Sequence, residues 1–225
     1  DSRAYSLQKK IKNLSRGFFS KLIKEIDGKH SSVAAAALGF SKDIRAIPFL
    51  NQVLEKGNRK ARVNAALALG QIGSDQTPMA QLYKVLDKDK NDKVRAMAAF
   101  AIAQIITKDD DKEVLPILLK ALKDKSFKVR GNAVLALSKV GSKEAADAIT
   151  ATTLDDKHPI VRHNSICVLA NVENSDDYVK PLVSKLRDEV KQVCNVAYAA
   201  LRKITGKNIE QDPAKWEEWA GINTK

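Results

Sequence analysis

The sequence predicts an all-α fold, a right-handed α–α superhelix of about six short helix pairs closed by terminal capping helices. Three observations carry this prediction. Alanine and leucine supply most of the apolar content while only 5% of residues are aromatic, and both residue types lose little side-chain freedom in a helix. Apolar residues recur at helical rather than alternating spacing. Glycine and proline sit between the apolar segments rather than inside them, so they punctuate the chain.

The earliest readable pair consists of Phe18, Leu22 and Ile26 followed by Ala34, Ala37 and Leu38. Ile11 and Leu14 extend the first of these stripes toward the N-terminus and would close the first layer. Five later segments each open a run in which apolar or small residues recur at steps of four, seven, eight and eleven. They are Ala61, Ala65, Ala68, Leu69 and Ile72; Val94, Ala98, Ala101, Ile102 and Ile105; and Val129, Ala133, Ala136, Leu137 and Val140. Val161, Ser165, Val168, Leu169 and Val172 follow, then Val190, Cys194, Ala197, Tyr198 and Leu201. Such spacing lays every member of a run on one helical stripe.

Before each run lies a second amphipathic segment, ending at Leu54, Leu86, Leu122, Leu154 and Leu186. Counting back by four and seven gives Leu50 and Ile47, Leu82 and Met79, Leu118 and Leu115, and Leu182 and Val179. The same count from Leu154 lands on Thr150 and Asp147, so that helix must use Ala146 and Ile149. The terminal leucines are 32, 36, 32 and 32 residues apart, which makes one helix pair the repeating unit. Breakers separate the segments at Gly57-Asn58, Gly73-Ser74, Lys108 to Asp111, Gly141-Ser142 and Asn174-Ser175. Pro48, Pro78, Pro116 and Pro181 suit the first turn of the first helices, where a missing N–H costs little. Alanines at the centre of each second helix let neighbouring helices approach and stack, and one pair alone cannot bury its apolar faces.

The runs Val94-Arg95 to Ile102 and Val129-Arg130 to Leu137, with Asp89, Asp124 and Asp156 six residues before Arg95, Arg130 and Arg162, carry a resemblance to the HEAT repeat family. The match is specifically to the short HEAT-like repeats of bacterial proteins and phycobilisome lyases. It covers roughly residues 17 to 205, leaving 1–16 as an N-terminal cap and 206–225 as a C-terminal cap within a single repeat domain, 1–225. It implies that the Arg-bearing second helices line a concave face. In the C-terminal cap, Asp212-Pro213 reads as a helix start, and Trp216 and Trp219 at three-residue spacing would seal the last apolar layer.

The regular polar features are the series Arg62, Arg95, Arg130 and Arg162, continued by Lys191, and the amides Asn64, Asn132 and Asn164 two residues after their arginines. On a concave face the series would clamp carboxylates or phosphates; alternatively each arginine pairs with an aspartate and fixes repeat register. The asparagines offer donors and an acceptor to an extended peptide, and His163, Gln192 and Asn195 complete the candidate partner-binding set. The expected partner is therefore a protein or extended peptide held by a monomeric, non-catalytic scaffold.

The net charge of +12 also suits nucleic acid. Basic HEAT-like solenoids resemble DNA glycosylases of this fold, but those place tryptophans and an acid inside the groove, whereas Trp216 and Trp219 lie beyond the repeats. The phycobilisome-type resemblance adds a bilin lyase or chromophore-handling reading. Three scattered histidines (His30, His158, His163), no HExxH, and no His-Glu pairs of the kind found in HEAT-repeat iron hydroxylases point to no metal and no cofactor. No glycine-rich phosphate loop or GxSxG is present. Cys167 and Cys194 form no CxxC pattern and read as buried thiols. No apolar stretch is long enough to span a membrane. A start at Asp1 without methionine fits a trimmed or exported chain, so both the bacterial cytoplasm and export remain open.

Overall fold

The computed structural model describes residues 17–107 and 111–222, and every regular element among them is helical. The chain divides into two compact units, Asp1–Ile105 and Ile106–Lys225. Expectations placed on Ile11, Leu14 and Lys108 to Asp110 lie outside the described residues.

Unit 1 holds three helix pairs: α1 over 17–25 with α2 (Ser31–Ser41), α3 (Ile47–Lys56) with α4 (Arg59–Ile72), and α5 (Met79–Lys88) with α6 (Asp92–Ile105). The boundaries follow from local chemistry. Asn58 caps α4 by accepting the N–H of Ala61 at 3.1 Å, and Gly73 closes it in the left-handed region at φ 63°, donating to Leu69 O. Asn91 accepts the N–H groups of Lys93 and Val94 at the start of α6. Pro48 sits in the first turn of α3.

The stripes read from the sequence are buried: Ile47, Leu50 and Leu54 on α3, Ala61, Ala65, Ala68 and Leu69 on α4, and Val94, Ala98, Ala101, Ile102 and Ile105 on α6. Phe18 departs from its expected place in the first layer and is 57% exposed. The second helices α2, α4 and α6 stand side by side, and two glycines that lie inside helices, not between segments as expected, set their spacing. A Cβ on Gly39 would lie 2.7 Å from Ala68 Cα, and one on Gly70 would lie 2.8 Å from Ala101 Cα.

Unit 2 contains α7 (Asp111–Ala121) with α8 (Phe127–Val140), α9 (Lys143–Thr152) with α10 (Pro159–Leu169), α11 (Val179–Ser184) with α12 (Lys191–Thr205), and a last helix α13 (Pro213–Trp219). Short 3₁₀ turns at Ser175–Tyr178 and Lys185–Arg187 flank α11. At two of the breakers, Gly141 at φ 69° and Asn174 at φ 56° adopt the left-handed region. Helix α9 buries Ala145, Ala146 and Ile149 and leaves Asp147 exposed, the alternative stripe that its sequence required. Pro116 lies inside α7 rather than in its first turn.

The last pair corrects the sequence register. Helix α12 buries Val193, Ala197, Ala200 and Leu201, while Val190, Cys194 and Tyr198 are half-buried. Two valines three residues apart both allow a helical apolar stripe, and packing selects the later one. On α13, Asp212 caps the first turn by accepting the N–H of Ala214. Trp216 is fully buried, edge-on to Tyr198, with its Nε1 donating to Glu210 O at 2.9 Å. Trp219 packs edge-on against Trp216 but stays 43% exposed.

Candidate interaction surface

The arginine series first has to be placed, because its position decides which residues are left to meet a partner. Arg62 Nε and Nη2 donate to Asp89 at 2.9 and 3.2 Å, Arg130 to Asp156 at 2.5 and 2.7 Å, and Arg162 to Asp188 at 2.7 and 2.6 Å. Each of these acids lies in the turn leading into the next second helix. The Nη1 atoms of Arg62, Arg95, Arg130 and Arg162 donate back to Gly57 O, Asp89 O, Asp124 O and Asp156 O at 2.8–2.9 Å.

The aspartates are themselves fixed, since Asp89, Asp124, Asp156 and Asp188 each accept the backbone N–H two residues on. One planar fork thus joins the turn before its own helix to the turn before the next. This is the bidentate geometry that favours arginine over lysine.

Both pairs in unit 2 are buried. Arg130 and Arg162 are 6% and 5% exposed, so they lie beneath the partner-facing surface expected for them rather than on it. Burial pushes the Asp156 and Asp188 carboxyls up. The guanidinium bonds and the N–H groups of His158 and Val190 outweigh it and hold both below the usual aspartate range. The bond to Asp156 raises Arg130, and that to Asp188 raises Arg162.

Lys191 does not continue the series. It is exposed at the first residue of α12, and the corresponding place belongs to Cys194, whose Sγ donates to Asp188 O at 3.0 Å. The repeat therefore runs Arg62, Arg95, Arg130, Arg162, Cys194, and a thiol too short to reach another acid ends it.

The asparagines stitch neighbouring second helices together. Asn64 Nδ2 donates to Ser32 O at 2.7 Å and Ser32 Oγ at 2.9 Å, and Asn164 Nδ2 reaches Gly131 O at 3.5 Å. Asn132 is half-buried on α8 and also engaged. Asn195 is exposed and accepts from Gln211 Nε2 at 3.0 Å. Cys167 Sγ lies 3.8 Å from His163 Nδ1, but burial pushes this thiol up, opposite to what a nucleophile needs. Among the described residues no three His, Cys, Asp or Glu side chains converge as a metal would require.

A groove beside the first turns of the second helices occurs in both units at corresponding repeat positions. In unit 1 a cavity of about 270 Å³ is lined by Ser32, Arg59, Lys60, Val63, Asn64 and Lys93. In unit 2 one of about 470 Å³ is lined by Pro159, Ile160, His163, Val190, Gln192 and Val193. Arg59 and Pro159 stand three residues before their ladder arginines, Lys60 and Ile160 two before, and Val63 and His163 one after. His163 and Gln192 line the groove of unit 2, and Asn64 lines that of unit 1. Arg59, Lys60, Lys93 and Ile160 escaped sequence reasoning, although the position two residues before each ladder arginine was a readable signal.

Stacked helix pairs carrying an internal Arg–Asp ladder and a groove along the second helices define a helical-repeat protein of the solenoid class. HEAT repeats match the chain over residues 16–102 and again over 79–170, and the chain belongs to the HEAT-repeat family. It is 34% identical over 140 residues to the bilin biosynthesis protein MpeU of Synechococcus sp. (strain WH8020), covering 61% of this chain and 46% of that protein. It is 28% identical over 185 residues to the deoxyhypusine hydroxylase of Candida albicans, covering 69% and 57%. The chain thus spans about half the length of these curated relatives.

Among solved structures, a designed armadillo repeat protein superposes with a TM-score of 0.61 at 19% identity, covering 82% of this chain and 99% of that one. A second designed armadillo protein, in complex with the peptide (KR)4, gives 0.59 at 18%, covering 82% and 98%. The archaeal HEAT-like repeat protein of Thermococcus onnurineus NA1 gives 0.56 at 14%, covering 90% and 86%. Among the described residues no helix is long and apolar enough to cross a membrane.

Proposed function

We propose that this protein is a non-catalytic interaction scaffold that holds a protein or extended peptide along its second helices. One observation carries the reading: both units open a groove at the same repeat position, while the regularly spaced arginines are consumed inside the fold. A repeated framework with locally varied grooves is what recognition along a solenoid needs. That a designed armadillo protein of similar fold is in complex with the peptide (KR)4 supports the same use of this architecture.

The test is site-specific photo-crosslinking in extract, with benzophenone at Lys60 and at Ile160, and at Lys84 on the exposed side of α5 as reference. The expected result is discrete protein adducts from the two groove positions and none from Lys84. Nucleic-acid adducts, or equal labelling from all three sites, sink the reading.

A second reading rests on the 34% identity to a bilin biosynthesis protein. In it, the apolar groove of unit 2 takes a bilin, with Ile160 and Val193 against the ring system and His163 at the edge. A saturable change in bilin absorption, lost in Ile160→Asp, is its expected signature. The His-Glu pairs of HEAT-repeat iron hydroxylases have no counterpart at His30, His158 or His163, none of which is followed by a glutamate.

A further inference from the structure

The groove of unit 1 differs from that of unit 2 in being lined by three cations and, among the described residues, by no acid. Arg59 and Lys60 are the first two residues of α4, and Lys93 is the second residue of α6. All three line one cavity with Ser32, Val63 and Asn64, and no acid lines it. Among the described residues none of these three side chains forms a hydrogen bond or ion pair with another residue. The surrounding fold pairs its arginines where it uses them structurally, as Arg62–Asp89 shows a few residues away.

These cations also sit where helix electrostatics opposes them. The first turn of a helix carries a partial positive charge from its unpaired N–H groups and favours acids. At α4 the cap is the neutral Asn58, and the next two residues are cationic. At α6 the single acid, Asp92, precedes Lys93 and has an interaction of its own. An anion seated between the two first turns would therefore meet three cations and two helix ends at once.

We propose that this groove binds an extended acidic peptide segment of the partner. The inference rests on the scaffold reading and names the partner's chemistry at one of its two grooves. The remaining lining residues favour peptide over nucleic acid. Asn64 has its Nδ2 committed to Ser32, which leaves its Oδ1 to accept a hydrogen bond, and a peptide N–H supplies one where a phosphodiester cannot. Val63 adds an apolar wall, whereas the groove contains no aromatic side chain on which a base would stack.

The experiment measures fluorescence anisotropy of labelled oligoglutamate, oligolysine and oligothymidylate with three proteins: the wild type, the double variant Lys60→Glu/Lys93→Glu, and the control Lys21→Glu/Lys24→Glu. The control makes the same charge change at exposed positions of α1. Expected are salt-sensitive binding of oligoglutamate and not oligolysine, weakened roughly tenfold or more in the groove variant and only slightly in the control. The neutral pair Lys60→Gln/Lys93→Gln should fall between, with unchanged far-UV circular dichroism confirming the fold.

Equal losses in groove variant and control would reduce the effect to net charge and overturn the site. Preference for oligothymidylate over oligoglutamate, lost in the same variant, would overturn the peptide assignment. Protein crosslinks from Lys60 and Ile160 without oligoglutamate binding would remove this inference and leave the scaffold standing, whereas nucleic-acid crosslinks would remove both.

Discussion

Helices α4 and α6 in unit 1 and α10 and α12 in unit 2 occupy equivalent places in the repeat, yet they are held and exposed differently. In unit 1 the second helices meet through glycine, with no room for even one methyl at Gly39 or Gly70, and the ladder pair Arg62–Asp89 retains access to water. In unit 2 the glycine of the layer, Gly131, is buried but would hold a Cβ at ordinary contact distance, and the pairs Arg130–Asp156 and Arg162–Asp188 are buried. The grooves diverge in parallel: Arg59 and Lys60 stand in one where Pro159 and Ile160 stand in the other. The repeat fixes where a residue sits but leaves open whether close packing or a buried ion pair secures the layer, and so different surface chemistry can be mounted on one framework.

The largest expected difference comes from removing the acids. Asp156→Ala leaves the Arg130 guanidinium buried without its partner and should cost about 3 kcal/mol, whereas Asp89→Ala, with Arg62 partly hydrated, should cost about 1 kcal/mol. Urea denaturation of the two variants measures both, and equal losses would erase the distinction between the units. Next comes the sign of a glycine substitution. Gly70→Ala drives a methyl against Ala101 Cα and the Phe100 ring and should destabilise by about 1–3 kcal/mol despite better helix propensity. Gly131→Ala meets only ordinary contacts and should stabilise by about 0.5–1 kcal/mol. Loss of stability in both would show that the layers are equally tight.

The smallest effect is the pH dependence. Asp156 and Asp188 titrate below the usual aspartate value, so their contribution is complete above about pH 3.9 and is lost as pH falls through the depressed range. The midpoint of thermal unfolding should therefore drop on acidification below that point. Asp156→Asn, which carries no carboxylate there, should show a shallower drop; parallel curves would mean that the buried pair adds nothing to acid stability.

Much of the scaffold was legible because a helix buries a stripe and stripes have a period. Ala61 to Leu69, Val94 to Ile105 and Val129 to Val140 were readable as second helices, and Gly73, Gly141 and Asn174 as breaks between segments. The single 36-residue interval between terminal leucines, from Leu86 to Leu122, spans the point where the two units divide. The candidate site was less legible. Val190 and Val193 satisfy the same pattern, so α12 was read three residues early and Lys191 was placed in a series that belongs to Cys194; Asp188, six residues before Cys194, held the correct register.

The sequence alone determined the helix pairs, their period and their caps, because these depend on interactions within a few residues of one another. Tertiary structure decided which polar residues are consumed and which are offered. An arginine and its aspartate lie 26 or 27 residues apart, and a groove lining is gathered from successive helices. Only packing one pair on the next brings such residues together and decides which of them remain in water.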